Sequence, residues 1–322
     1  MKWESGKDVP RDVVPQDAVP PTLRTVPGAD VTQKLVFDPS MKQYPNAYRA
    51  TDPAFADPTR TDAWRAARRE ALETVLRAVA GSEWADSLVL RGSMLMAAWF
   101  GEAAREPGDL DFVVVPGTWG LGDPRTAPML DGIARGAEEA AQGFGVAFDA
   151  AGAVAEDIWT YERVPGRRLV LPWTAPGLPG GHVQLDFVFG EHLPEEPVPV
   201  EVPGGAVLLG ATPALSLAWK MLWLTLDMYA QGKDLYDAVL LAERHPLPYD
   251  LLHKVFEAGG EWPEHYRHEV LHEDVVEALR YVEWRHFVVE FPQLADAEEE
   301  FVRRLLRAVA PTFSERGDAV PL

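Results

Sequence analysis

The sequence predicts an α+β fold, in which a mixed sheet with flanking helices is followed by an all-helical C-terminal domain. Up to about residue 211, short apolar runs that suit buried strands alternate with helical patterns. From residue 212 onward the apolar spacing is that of successive helices, whereas the first 58 residues are rich in proline and show no period. We therefore expect three segments: a proline-rich N-terminal extension over 1–58, a mixed domain over 59–211 and a helical domain over 212–322.

The mixed domain is expected to begin with a long helix that ends at Gly81. Thr61 or Asp62 can cap this helix, because either side chain can accept a hydrogen bond from a free N–H of the first turn. Trp64 lies on the apolar face and is expected in the core. The later elements are expected as strand 87–90, turn 92–93, helix 94–100, strand 110–115, helix 127–142, strands within 144–150, 167–173 and 181–191, and helices at 214–229, 235–244, 249–258, 274–287 and 295–308.

The charge and composition exclude several classes of function. A formal net charge of −20 over 322 residues disfavours broad, non-specific binding of nucleic acid. The absence of cysteine excludes disulfides and zinc–thiolate sites, so any metal should be hard and bound by oxygen. The chain has neither an apolar run of about eighteen residues nor an apolar signal segment, which predicts a cytoplasmic protein with no membrane contact. Three arginine clusters could line a restricted phosphate track, although solvated surfaces explain each cluster taken singly: Arg65, Arg68 and Arg69; Arg163, Arg167 and Arg168; Arg303, Arg304 and Arg307.

Two aspartates interrupt an otherwise hydrophobic strand. Asp109 and Asp111 stand two residues apart, so their side chains project from one face of the strand while Leu110 projects from the other. Adjacent carboxylates repel each other and lose hydration unless a cation or a proton neutralises them. Magnesium prefers carboxylate oxygens together with substrate phosphates. The pair therefore predicts half of a magnesium site, whose other half is a nucleoside triphosphate.

Gly92 and Ser93 form a turn before the short helix that leads to this strand. Glycine lets the backbone approach a phosphate, while the first amides of the helix and the serine hydroxyl donate to it. Either motif alone is weak, but their order predicts a phosphate turn beside a metal site. Asp186 in "VQLDFVF" is a third candidate, which would bind the second metal and accept a proton from an attacking hydroxyl. A hydrogen-bonded structural aspartate is the alternative for Asp186.

A hydrolase is not expected. His182 lies four residues before Asp186 and could face the same side of the strand, but a packing role explains a lone histidine equally well. A triad built from Ser93 and His182 would lack the glycine pattern that surrounds a nucleophilic serine.

The segment "LRGSMLMAAWFGEAAREPGDLDFVV" resembles the Gly-Ser and Asp-x-Asp signature of the DNA polymerase β-like nucleotidyltransferase superfamily. The later segment "SLAWKMLWLTLDMYAQGKDLYDAVLLAE" is similar to the AbiEii/AbiGii nucleotidyltransferase toxin family, in which a lysine-bearing helix leads into a charged Asp-Leu-Tyr-Asp segment. The resemblance covers residues 87–243 and implies a nucleotidyltransferase-like sheet, with the nucleotide between it and the helical domain. The chain departs from the usual pattern, a Gly-Gly pair preceded by lysine, at Arg91 and Ser93.

The resemblance implies a role for each matched residue. Lys220 matches the helical lysine and would reach the β or γ phosphate as a point charge, although in so apolar a helix its ammonium could instead extend to solvent. Arg105 resembles an arginine often found ahead of the aspartates. The other implied roles are metal binding and catalysis by Asp109, Asp111 and Asp186, and nucleotide or phosphate binding by Gly92, Ser93, Lys233, Asp234 and Asp237. The last two share a helix face and could position Lys233 or Lys220, contact a ribose, or simply pair with neighbours.

The expected reaction transfers a nucleoside monophosphate from a triphosphate to a hydroxyl and releases pyrophosphate. Two magnesium ions, or manganese in their place, would hold the attacking and leaving oxygens. The resemblance implies a toxin-type enzyme that modifies tRNA and is neutralised by a separate antitoxin. Two alternatives stay open: a small cationic acceptor such as an aminoglycoside, which suits the acidic chain better, and a non-catalytic nucleotide-binding protein.

Overall fold

The computed structural model describes residues 25, 26, 28–39, 48–160, 164–259 and 269–314. Arg163 and much of the N-terminal extension lie outside these ranges. The strands are β1 (Val31–Thr32), β2 (Leu35–Phe37), β3 (Tyr48–Ala50), β4 (Ala54–Phe55), β5 (Leu88–Arg91), β6 (Leu110–Val114), β7 (Ala147–Phe148), β8 (Val154–Thr160), β9 (Val164–Ala175), β10 (Leu178–Val188), β11 (Val198–Glu201) and β12 (Val207–Gly210). The helices are α1 (Pro58–Ala80), α2 (Ser93–Phe100), α3 (Thr126–Ala140), α4 (Pro213–Leu226), α5 (Gly232–Ala242), α6 (Tyr249–Ala258), α7 (His272–Ala278), α8 (Trp284–Glu290) and α9 (Glu298–Ser314).

An eight-stranded mixed sheet positions the acidic residues. Its order is β11-β12-β5-β6-β10-β9-β7, and β8 also pairs with β9. β6 lies in the middle, antiparallel to β5 and parallel to β10, with Asp111 opposite both Arg91 and Asp186. Leu110 and Phe112 on the other face of β6 are fully buried, as alternation along a strand requires. The mixed sheet with flanking helices and a helical C-terminal part confirms the predicted fold class.

Helix α1 begins three residues earlier than its apolar spacing predicts. Asp57 is its cap and accepts a hydrogen bond from the Thr59 N–H at 2.9 Å, and Pro58 suits the first position because that position needs no N–H donor. Thr61, a predicted cap, instead accepts a hydrogen bond from the Phe55 N–H and so fastens β4 to the helix. Trp64 is buried as predicted.

The helix predicted at 274–287 is two helices, and this prediction is corrected. A 3-10 turn at Leu279–Tyr281 follows α7, and Val282 then takes an extended conformation. The Glu283 N–H donates to the carbonyl of Ala230 at 2.7 Å, so a contact with the segment between α4 and α5 replaces a helical hydrogen bond. The spacing of apolar residues in the sequence does not reveal a tertiary hydrogen bond of this kind.

The N-terminal strands form two small antiparallel pairs, β1 with β4 and β2 with β3. Their strands are two or three residues long, which is too short to show a period in the sequence. None of the described helices combines the length and the apolarity that a membrane crossing demands.

Candidate active site

Three carboxylates meet where β6 and β10 run side by side. Asp109 stands immediately before β6, Asp111 is its second residue, and Asp186 lies opposite Asp111 on β10. One carboxylate oxygen from each of the three lies within 4.8 Å of the other two. The sequence anticipates these residues, and the structure brings them together. Oxygen donors at this spacing suit a hard divalent cation such as magnesium or manganese.

The electrostatics of this cluster favour a bound cation. Burial, followed by the charges of Asp109 and Asp186, raises the pKa of Asp111 to about 7. Burial also raises the pKa of Asp186. For Asp109, burial alone would raise the pKa, but the charges of Lys233 and Arg105 outweigh it and hold the pKa below its ordinary value. A metal ion would therefore displace a proton from a site that binds one near neutral pH.

Arg168 on β9 holds Asp186 in place. Its Nε and Nη2 donate to the two carboxylate oxygens, each at 2.8 Å, and the arginine is only 2 % exposed. Its Nη1 reaches Asp38, which follows β2, at 3.5 Å. The structure thus combines both interpretations of Asp186, which is hydrogen-bonded within the sheet and is also a member of the acidic cluster. Sequence reasoning placed Arg168 only in a basic cluster, although an arginine at the start of the apolar run "LVLPW" was a usable signal.

Gly92 and Ser93 lie directly against the carboxylates. Gly92 has a φ of +76°, and a Cβ atom there would stand 2.2 Å from Oδ2 of Asp111, so glycine is required both by conformation and by space. Ser93 begins α2, is buried, and its Oγ donates to Oδ1 of Asp109 at 3.4 Å. The turn therefore shapes the acidic cluster, and its contact with phosphate stays a prediction.

Lys220 lies in a buried ion-pair network. Its Nζ donates to Oδ1 of Asp234 at 2.6 Å and lies 3.1 Å from Oδ2 of Asp237. Arg105 also binds Asp237, with its Nη2 3.0 Å from the same oxygen. Burial alone would lower the pKa of Lys220, but the two carboxylates raise it above its ordinary value. This network joins α4, α5 and the segment before β6, so it fixes the helical domain against the sheet.

Lys233 occupies a different position from Lys220. A cavity of about 1030 Å³ contains the three carboxylates in its wall, and Lys233 and Asp234 line it whereas Lys220 does not. Among neighbouring charges, Lys233 has the largest influence on the pKa of Asp109. Lys233 is therefore the lysine that faces the cavity. Phosphate binding by Lys220 stays a prediction.

Further residues complete the cavity wall, and among them Arg49 is one that no pattern in the sequence indicates. Arg49 on β3 forms a two-pronged ion pair with Glu290 of α8, with Nη1 and Nη2 at 2.9 and 2.6 Å. Arg68 of α1 donates to the carbonyls of Pro107 and Gly108 at 2.8 and 2.6 Å, which fixes the chain just before Asp109. His182 is exposed and lines the cavity instead of packing in the core.

Without a divalent cation, the contribution of Asp111 to thermal stability is expected to fall as pH rises from about 4 to about 7. The folded-state pKa of Asp111, about 7, lies above its ordinary value of 3.8, so protonation of Asp111 favours the folded state. This contribution is fully present below pH 4 and is lost as pH rises through the folded-state pKa.

Melting temperatures in a chelating buffer at several pH values measure this effect. Asp111→Asn should melt at a higher temperature than the wild type, and this difference in melting temperature should grow between pH 5 and pH 7 and then level off. Added magnesium should reduce the difference, with the largest reduction above pH 7. A difference that does not change with pH would contradict the assignment.

Comparison with known proteins agrees with this geometry. A family model described as nucleotidyl transferase AbiEii toxin, type IV TA system, matches residues 74–315, well over half of the chain. The match contains all three carboxylates, the Gly92 turn and the charged segment on α5, and it begins after the N-terminal strands. No curated protein gives a significant match to the chain.

Proposed function

The chain belongs to the AbiEii nucleotidyltransferase toxin family, and we propose that it transfers a nucleoside monophosphate from a triphosphate to a hydroxyl of tRNA in a metal-dependent reaction. The observation that carries this proposal is the cluster of three carboxylates within 4.8 Å beside the Gly92 turn. The family is described as the toxin of a type IV system. We therefore include in the proposal a cytoplasmic site of action and a separate antitoxin.

In the proposed reaction, the acceptor oxygen forms a bond to the α-phosphorus, and the bond from that phosphorus to the bridging oxygen of the β-phosphate breaks. The electron pair of the broken bond leaves with pyrophosphate. Asp109 and Asp111 would hold magnesium, which when bound neutralises the cluster and stabilises the charge that develops on the phosphate oxygens. A carboxylate oxygen of Asp186, oriented by Arg168, would take the proton of the acceptor hydroxyl. Lys233 would offset the charge of the departing pyrophosphate.

The proposal is tested with each of the four triphosphates labelled at the α-phosphate. The chain would be incubated with magnesium and either total tRNA or an aminoglycoside panel, and label transfer and pyrophosphate release would be followed. Label in tRNA supports the proposal. Label only in an aminoglycoside would favour the alternative suggested by the charge of −20, and nucleotide binding without pyrophosphate release would indicate a non-catalytic protein.

The α1 arginines offer a route for an RNA acceptor despite the overall acidity. Arg65 and Arg69 are exposed, stand four residues apart on α1 and line the same cavity as the carboxylates. Such a pair can contact successive phosphates of a bound strand without a basic surface elsewhere.

The double variant Arg65→Glu, Arg69→Glu is expected to raise the KM for tRNA by roughly tenfold or more, because charge reversal repels the RNA backbone. The KM for the triphosphate should change little. Arg135→Glu is the matched control, since Arg135 is an exposed helical arginine that does not line the cavity. If Arg135→Glu raises the KM for tRNA equally, or if the double variant leaves that KM unchanged, the tRNA binds elsewhere.

A further inference from the structure

The hairpin of β2 and β3 lies outside the residues that match the family, yet it lines the cavity that contains the three carboxylates. We propose that this hairpin forms the nucleobase side of the cleft and that Phe37 supplies the face on which the base of the bound triphosphate stacks. The inference rests on the proposed function, because it names the part of the site that holds the nucleoside.

Two contacts of the hairpin fix its position over the cavity. On one side, Arg49 of β3 forms its two-pronged ion pair with Glu290 at the end of α8. On the other, Asp38 lies 3.5 Å from Nη1 of Arg168, whose remaining nitrogens bind Asp186. The hairpin therefore spans from the helical domain to the third carboxylate.

Phe37 has the surroundings of a stacking platform. Its ring centroid lies 5.1 Å from that of Tyr229 and 5.7 Å from those of Tyr48 and His286, and the two tyrosine rings are inclined to it by 71° and 60°. The ring is half-buried, and Phe37, Tyr229 and His286 all line the cavity. Inclined aromatic neighbours restrict the orientation of an aromatic ring, and a partly exposed ring can stack with any nucleobase.

The position of Phe37 along the chain suits a nucleoside whose phosphates lie at the acidic cluster. Phe37 directly precedes Asp38, which is linked through Arg168 to Asp186. The cavity wall also offers both kinds of side chain that a nucleoside triphosphate needs. Asp109, Asp111 and Lys233 line the expected phosphate position, and Phe37, Tyr229 and His286 line the same cavity beside the hairpin, where the charged groups Arg49 and Asp38 are already paired with Glu290 and Arg168. A nucleoside triphosphate has a charged tail and an aromatic base.

Kinetics of Phe37→Ala, Phe37→Tyr and a control test the inference. The alanine variant is expected to raise the KM for the triphosphate by about tenfold or more, with a much smaller change in kcat, since loss of one stacking contact weakens binding on this scale. Phe37→Tyr keeps the ring and should stay within about threefold of the wild type. Phe144→Ala is the control, because Phe144 is 53 % exposed and does not line the cavity.

Inhibition by inorganic triphosphate separates stacking from a structural role. It carries the phosphates without a base, so its inhibition constant should be the same for Phe37→Ala and the wild type. If Phe37→Ala weakens the binding of inorganic triphosphate as much as the binding of the nucleoside triphosphate, the hairpin has moved, and this result would overturn the inference. An unchanged KM for all four nucleotides in Phe37→Ala would also overturn it while leaving the proposed function intact. A wild-type protein that neither binds nor transfers any nucleotide would remove both.

Discussion

The Asp111→Asn variant is expected to lose nucleotidyl transfer by at least about a thousandfold while melting at the same temperature as the wild type or higher. Asp111 lies between Asp109 and Asp186, and burial together with their charges raises its pKa to about 7. Asparagine has the same shape but no charge. The substitution therefore removes a proposed metal ligand and, at the same time, relieves the repulsion within the cluster.

This combination of lost activity and retained stability distinguishes a functional carboxylate from a structural one. Label transfer measures the first effect, and a melting curve above pH 7 in a chelating buffer measures the second. Asp131→Asn is the matched control, since Asp131 is exposed on α3 and should leave both unchanged. Retention of more than a tenth of the activity, or a melting temperature several degrees lower, would contradict the role assigned to Asp111.

The Gly92→Ala variant is expected to lose about a hundredfold or more in activity at a modest cost in stability. Its new Cβ would stand 2.2 Å from Oδ2 of Asp111, and a carboxylate end can rotate away from such a contact. The fold should then survive, but Asp111 would leave the position in which we propose that it holds a cation together with Asp109. The positive φ at residue 92 adds a strain of about 1–3 kcal/mol.

Gly101 provides a matched control for that strain. Its φ is +54°, and nothing lies within 4 Å of the Cβ that alanine would add. Gly101→Ala should therefore show a similar drop in melting temperature with activity close to that of the wild type. Equal losses of activity in the two alanine variants would mean that backbone strain, and not displacement of Asp111, is responsible.

The residues of the acidic cluster could be predicted because each is marked by a pattern within its own strand. Alternation along β6 places Asp109 and Asp111 on one face, and an aspartate within an apolar strand marks Asp186. The register that sets Asp186 opposite Asp111 depends on a parallel pairing across a long insertion. No spacing in the sequence fixes that register.

The sequence allows Asp234 and Asp237 to pair with Lys220 but does not select that arrangement over the alternatives. The sequence places Lys220 on a helix and the two aspartates on one face of the next, but it does not give the angle between the helices. In the structure α4 and α5 pack so that Lys220 contacts Asp234 and Asp237, while Lys233 faces the cavity. The orientation of a packed helix, rather than its existence, decides which lysine can reach a ligand.

The first 58 residues are rich in proline and show no apolar period, so no local pattern indicates that they contribute to the cavity. The described strands of this segment line the cavity because single contacts distant in sequence hold them there. The ion pair of Arg49 with Glu290 joins residues 241 positions apart. Contacts of this kind are invisible to local patterns, so the site was predicted more completely on its acidic side than on its hairpin side.

Anomalous diffraction from crystals grown with manganese and a non-hydrolysable triphosphate analogue tests the central claim most directly. We expect a manganese peak bonded to Asp109 and Asp111, with the α-phosphate of the analogue in contact with the same ion. Manganese peaks only outside the cluster of Asp109, Asp111 and Asp186, or an analogue bound away from it, would contradict the account.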